Sequence, residues 1–103
     1  RELIYCEDAA EGLVQALEKY YDVNYPINIG YNQDISIKDL ASLISRLTGF
    51  KGEITWDRTR PDGQFRKLLD SSRMKECGIE IKNPVSLEKG LEQTIKWYNK
   101  QKK

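Results

Sequence analysis

A chain of 103 residues is long enough for one small domain and too short to hold a cofactor domain and a substrate domain side by side. Seventeen Lys and Arg against sixteen Asp and Glu leave a formal charge of +1, so there is no sequence-wide electrostatic case for nucleic acid or an anionic membrane. With no histidine, the chain lacks the commonest general base, the usual partner of a nucleophilic serine and the commonest metal ligand.

Cys6 and Cys77 have no metal-ligand spacing and are expected as buried or half-buried thiols, and no metal site is expected. No apolar run approaches the roughly 20 residues of a membrane-spanning helix, and nothing has the form of a signal peptide. The expectation is a cytoplasmic protein.

Arg1 stands first and Leu3-Ile4-Tyr5-Cys6 already reads as a strand, so the chain is expected to begin inside a folded element, as a cut piece of a longer protein. From Asp8, read as a cap, Ala10, Leu13, Leu17, Tyr20 and Tyr21 recur at helical spacing with Glu11, Gln15, Glu18 and Lys19 opposite. This predicts an amphipathic helix whose apolar face needs a partner. Residues 22–26 break it, and Ile27-Asn28-Ile29-Gly30 reads as a short strand ending in a glycine turn.

Ser36 and Asp39 approximate a capping box for a second helix, with Ile37, Leu40, Ala41, Ile44 and Leu47 as its buried stripe and Gly49 as its stop. Glu53-Ile54-Thr55-Trp56 reads as a strand, and residues 57–65 as a polar loop. Asp70 suits the cap of a short helix from Ser71 to Cys77, closed by Gly78. Ser86 opens a last helix in which Leu87, Leu91, Thr94, Ile95 and Tyr98 share a face, and Lys100, Lys102 and Lys103 read as its solvated end. Short strands alternating with helices predict a small mixed α/β domain whose strands are too few for a complete sheet, so the sheet is expected to continue in a segment outside this chain.

The run Arg60-Pro61-Asp62-Gly63-Gln64-Phe65-Arg66-Lys67 sets three cations and one carboxylate around a Pro-Asp-Gly turn. A guanidinium grips phosphate oxygens with two prongs, and a carboxylate accepts from ribose hydroxyls, so the turn suits a nucleoside diphosphate. The alternative, which the spacing alone favours because surface Arg and Lys are common in loops, is a solvent-exposed turn with unrelated charges. Asn28, Tyr31, Asn32 and Gln33 read as groups that satisfy a turn, with a base or ribose contact as the alternative. The tryptophans and tyrosines read as core and interface residues.

Three segments, Arg1 to Ala10, Ile27 to Gly30 and Ile35 to Leu40, resemble in order and spacing the C-terminal part of extended short-chain dehydrogenases/reductases, the NAD-dependent epimerase/dehydratase family, that act on nucleotide sugars. The stretch Gly49 to Asp57, then Pro61-Asp62-Gly63-Gln64 and Arg66 to Asp70, is similar in particular to the GDP-L-fucose synthase branch. The resemblance implies a C-terminal substrate-binding segment spanning residues 1–103, preceded elsewhere by a Rossmann-type NADP domain missing from this chain. It implies an oxidoreductase and isomerase acting as a homodimer, which epimerises and reduces GDP-4-keto-6-deoxy-D-mannose to GDP-L-fucose.

By motif position, Arg1 and Arg60 would contact the diphosphate of the GDP-sugar, and Asp62 would approach the ribose. The family usually has Lys where Arg60 stands, and Cys6 and Glu7 replace its usual Val and Asp. No catalytic or cofactor-binding residue is expected here: the glycine-rich fingerprint, the Tyr-x-x-x-Lys pair and the acid/base His are absent. The isolated chain is expected to be inactive. Another NAD(P)-dependent nucleotide-sugar epimerase or dehydratase, and a non-catalytic nucleotide-binding or interaction module, remain as alternatives.

Overall fold

The computed structural model describes residues 1–19 and 23–102. Tyr20 and Tyr21, assigned above to a helix face, the first residue of the 22–26 break, and Lys103 of the basic tail lie outside the described residues. Four helices follow in order: α1 (Cys6–Lys19), α2 (Ile37–Thr48), α3 (Ser72–Glu76) and α4 (Leu87–Gln101).

Local chemistry sets most of the ends. The Ser36 hydroxyl accepts from the Asp39 N–H and opens α2, and the Ser86 hydroxyl accepts from the Lys89 N–H and opens α4. Gly49, at φ 69°, closes α2 while Phe50 and Gly49 donate back to the carbonyls of Ser45 and Arg46. The same paired bonds, from Ile79 to Met74 and from Gly78 to Lys75, end the turn after α3, with Gly78 at φ 75°. Both glycines occupy a left-handed conformation that a side chain disfavours. Ser71 takes the cap position of α3, and Asp70, the residue expected there, accepts from the Ser72 N–H at 2.9 Å.

No strand forms among the described residues, so the mixed α/β expectation is corrected to a helical fold with long irregular connections. The reason lies in pairing. Segments 1–5 and 27–35 meet in one reciprocal pair, in which the Arg1 backbone nitrogen donates to the Ile35 carbonyl at 2.8 Å and the Ile35 N–H returns to Arg1 at 3.0 Å. The next N–H, of Glu2, turns instead to the Lys67 carbonyl at 3.3 Å. One pair does not make a ladder. Cys6, expected at the end of a strand, begins α1 and is exposed, and Cys77 is half-buried. Residues 53–56 are exposed throughout and have no sheet face to pack against.

α2 packs on α4, with Arg46 reaching Glu88 at 3.2 Å. Leu40, Ala41 and Leu47 are half-buried there, while Ile37 and Ile44 stay exposed. The buried apolar side chains among the described residues, Met74, Ile79 and Ile81, sit in and just after α3. α1 turns its polar side inward. Gln15 exchanges two bonds with Glu80, donating at 2.6 Å and accepting at 2.9 Å, Lys19 donates to the Gly78 carbonyl at 2.7 Å, and Glu11 accepts from the Lys82 N–H at 3.4 Å. Leu13, Val14 and Leu17 consequently face outward, Leu17 being 80% exposed. Gly12 lets the helix approach closely: a Cβ there would lie 2.8 Å from Ile29 Cγ2.

Asp8, read above as a cap, lies within the first turn of α1 and is only 6% exposed. Its carboxylate accepts from the Tyr31 hydroxyl and, at 2.8 Å, from the Val85 N–H. No described helix is long and apolar enough to cross a membrane.

Burial and, after it, the bond to Asp8 push the Tyr31 hydroxyl up from 10.0 to about 12. A raised folded-state value means that this stabilisation is fully present below pH 10.0 and is lost as pH rises through about 12. The wild type should therefore lose stability relative to Tyr31→Phe across that window, measured by urea unfolding at a series of pH values. Parallel curves for the two proteins would contradict the Tyr31–Asp8 bond.

Candidate functional site

Arg1 and the polar turn meet in space although 63 residues separate Arg1 from Gln64. Arg1 Nη1 donates to the Gln64 carbonyl at 2.9 Å, and a Cβ added to Gly63 would lie 3.4 Å from Arg1 Nη2. A glycine at this place lets the turn come up to the guanidinium. The turn is fastened on both sides: by the Glu2 N–H to the Lys67 carbonyl, and by a two-pronged bridge from Arg66 to Asp34, at 2.5 Å through Nε and 3.2 Å through Nη2.

Beside this junction lies a cleft of about 280 Å³, whose wall includes Arg1, Tyr31, Gln33, Asp34, Val85 and Ser86. The first turn of α4 borders it through Ser86 and Leu87, so the positive end of a 15-residue helix and Arg1 line the same space.

The remaining cations of the turn are placed differently. Arg66 is taken up by Asp34: the guanidinium bonds hold the Asp34 carboxyl below its usual range. Arg60 is 87% exposed, with Nε 3.7 Å from Asp57 Oδ2. Asp57 accepts from both the hydroxyl and the N–H of Thr59, which hold its carboxyl low, the hydroxyl foremost. Asp62 is exposed on the same turn. The structure thus brings Arg1 against Gly63 and Gln64, and leaves Arg60 and Asp62 open to solvent on the same turn.

Three of the other polar candidates are structural. Asn28 donates to the Asp70 carbonyl at 3.1 Å, the Tyr31 hydroxyl goes to Asp8, and Asn32, at φ 58°, donates its N–H to Glu2 at 2.7 Å. Tyr31 and the fourth candidate, Gln33, line the cleft with Arg1. Asp34 and the Gln64 carbonyl were missed by the sequence reading. Asp34 carried a faint signal, as the one carboxylate between residues 27 and 37 in a chain whose arginines cluster after residue 57.

A dinucleotide cradle is not offered by these residues. Gly30 opens no helix and packs on Glu2, where a Cβ would lie 2.8 Å from the carboxylate oxygens. Among the described residues, no group of three or more His, Cys, Asp or Glu is placed to hold a metal ion.

No family model and no solved structure matches the chain. Curated proteins do. The chain is 42% identical over 100 residues to GDP-L-fucose synthase 1 of Arabidopsis thaliana, covering 97% of this chain and 30% of that protein. It is 44% identical over 91 residues to GDP-L-fucose synthase of Sinorhizobium fredii, covering 88% and 28%. It is 31% identical over 102 residues to GDP-L-colitose synthase of Yersinia pseudotuberculosis, covering 99% and 32%. The chain is homologous to the C-terminal part of GDP-L-fucose synthases and spans about 30% of the length of the curated relatives it matches.

The Thr59–Asp57 bonds make a local prediction. Thr59→Val deletes the hydroxyl and keeps the backbone donor, so the Asp57 carboxyl should titrate higher than in the wild type, followed by NMR of the carboxyl carbon. An unchanged titration would remove Thr59 as the cause.

Proposed function

We propose that this homologue of the GDP-L-fucose synthases holds the nucleotide diphosphate end of a GDP-sugar. In this reading residues 1–103 form one substrate-binding segment of an enzyme that epimerises and reduces GDP-4-keto-6-deoxy-D-mannose to GDP-L-fucose. NADP, the acid/base groups and the partner of a homodimer are supplied from outside this chain.

One observation carries the reading: the Arg1 guanidinium touches the very turn that bears Arg60 and Asp62. Arg1 spends Nη1 on the Gln64 carbonyl, and a guanidinium has five N–H donors, so the others are available to phosphate oxygens in the two-pronged manner that suits them. Arg60 adds a second, exposed charge, and the Asp62 carboxylate accepts from ribose hydroxyls. The Arabidopsis and Yersinia relatives both have GDP in their names and differ in the sugar, which supports assigning the shared nucleotide end to a segment similar in both.

A second reading, an interaction module, is favoured by the outward face of α1, where Leu13, Val14 and Leu17 are exposed together. Calorimetric titration with GDP separates the two. The first reading predicts measurable heat in the millimolar range or below and a loss of roughly threefold to tenfold in affinity for Arg60→Ala, from a charge-assisted contact at an exposed site. A flat titration of the wild type, or an Arg60→Ala variant that binds equally well, would leave the interaction module as the better account.

A further inference from the structure

We propose that Asp34 and Arg66 are positioning residues: their bridge latches the turn of residues 60–67 against Arg1, so that Arg1 and Arg60 serve one anion. The proposal rests on the nucleotide reading above for its ligand, and on the geometry of the turn for the latch itself.

The turn needs a latch. Every residue from 49 to 67 is exposed, so burial does not hold this stretch down, and its attachment to the rest of the molecule falls to polar bonds. Three such attachments converge at its far end. Glu2 donates to the Lys67 carbonyl at 3.3 Å, Arg1 donates to the Gln64 carbonyl at 2.9 Å, and Arg66 forks onto Asp34. The first two are single bonds from neighbouring residues of one segment, so the turn can swing about them. The Arg66–Asp34 fork uses two donors in a plane and comes from a different segment, so it fixes the direction in which the turn leaves residue 67.

Asp34 is itself well anchored. Its neighbour Ile35 shares the reciprocal backbone pair with Arg1, so the latch and the Arg1 backbone are fixed to the same place. Asp34 also lines the cleft with Arg1, yet its two carboxylate oxygens are turned to Arg66. A carboxylate near an anion site repels the anion unless its charge is neutralised, and Arg66 neutralises it. The latch therefore has two effects: it sets the turn, and it cancels a charge that would oppose phosphate.

These effects give the test a sign. Asp34→Asn removes a negative charge beside Arg1, which by charge alone would tighten GDP. By loss of position it weakens GDP, by roughly threefold for a partly exposed bridge. Hydrogen exchange on the same variant reads the turn without any ligand: the Glu2 amide, which the Lys67 carbonyl of the turn covers, should exchange faster, with helices α2 and α4 unchanged. Arg66→Lys, which keeps the charge and loses the fork, should behave like Asp34→Asn, and Asp34→Glu should restore part of the protection.

Unchanged exchange in Asp34→Asn, faster exchange spread evenly over the whole chain, or tighter GDP binding would overturn the proposal. If the wild type gives no heat with GDP while the turn opens in Asp34→Asn, the nucleotide reading fails and the latch stands. The two failures are therefore distinguishable.

Discussion

The arrangement depends on one buried carboxylate. Asp8 is 6% exposed, and a charge withdrawn from water is tolerated only where hydrogen bonds replace the lost solvent. Two donors do so here, the Tyr31 hydroxyl and the Val85 N–H, and the first turn of α1 adds the favourable end of the helix dipole. Fixing Tyr31 fixes the run that leads to Asp34 and Ile35, and through Ile35 the backbone of Arg1. Fixing Val85 places the start of α4. The cleft walls on both sides thus trace back to Asp8.

The same logic governs α1 as a whole. Glu11, Gln15 and Lys19 bond to the segment from Gly78 to Lys82, so the helix is attached by its polar face, and its leucines and Val14 are left outside. A domain attached in this way has a small apolar core, here centred on Met74, Ile79 and Ile81, and depends on directional bonds for its geometry. That dependence connects the fold to the site, because the turn near Arg1 is also held by polar bonds and not by burial.

The helix ends were legible in the sequence where the signal was local. Ser36, Gly49, Gly78 and Ser86 act on backbone groups within a few residues, and each does what its position implied. The strands were not legible in this way, because a strand exists only with a neighbour, and segments 1–5 and 27–35 share a single reciprocal pair. The amphipathic pattern of α1 was legible, but the way the helix attaches was not: periodicity identifies two faces, and which one packs depends on the partner surface, in this case backbone groups of residues 78 to 82. At the site, the turn from Arg60 to Lys67 could be picked out by composition, whereas the meeting of Arg1 with Gln64 and of Asp34 with Arg66 is long-range and had no local signature.

In this account the site works by convergence: a guanidinium from one end of the chain, a helix start and an exposed turn are brought to one place by a buried carboxylate and a surface ion pair. The most direct test of that convergence is the set of amide NMR shifts followed while GDP is added to the intact chain. The account predicts saturable shifts at Glu2, Gly63, Gln64 and the first turn of α4, titrating together with one dissociation constant. Shifts confined to other surfaces, or a spectrum that does not respond to GDP, would contradict it.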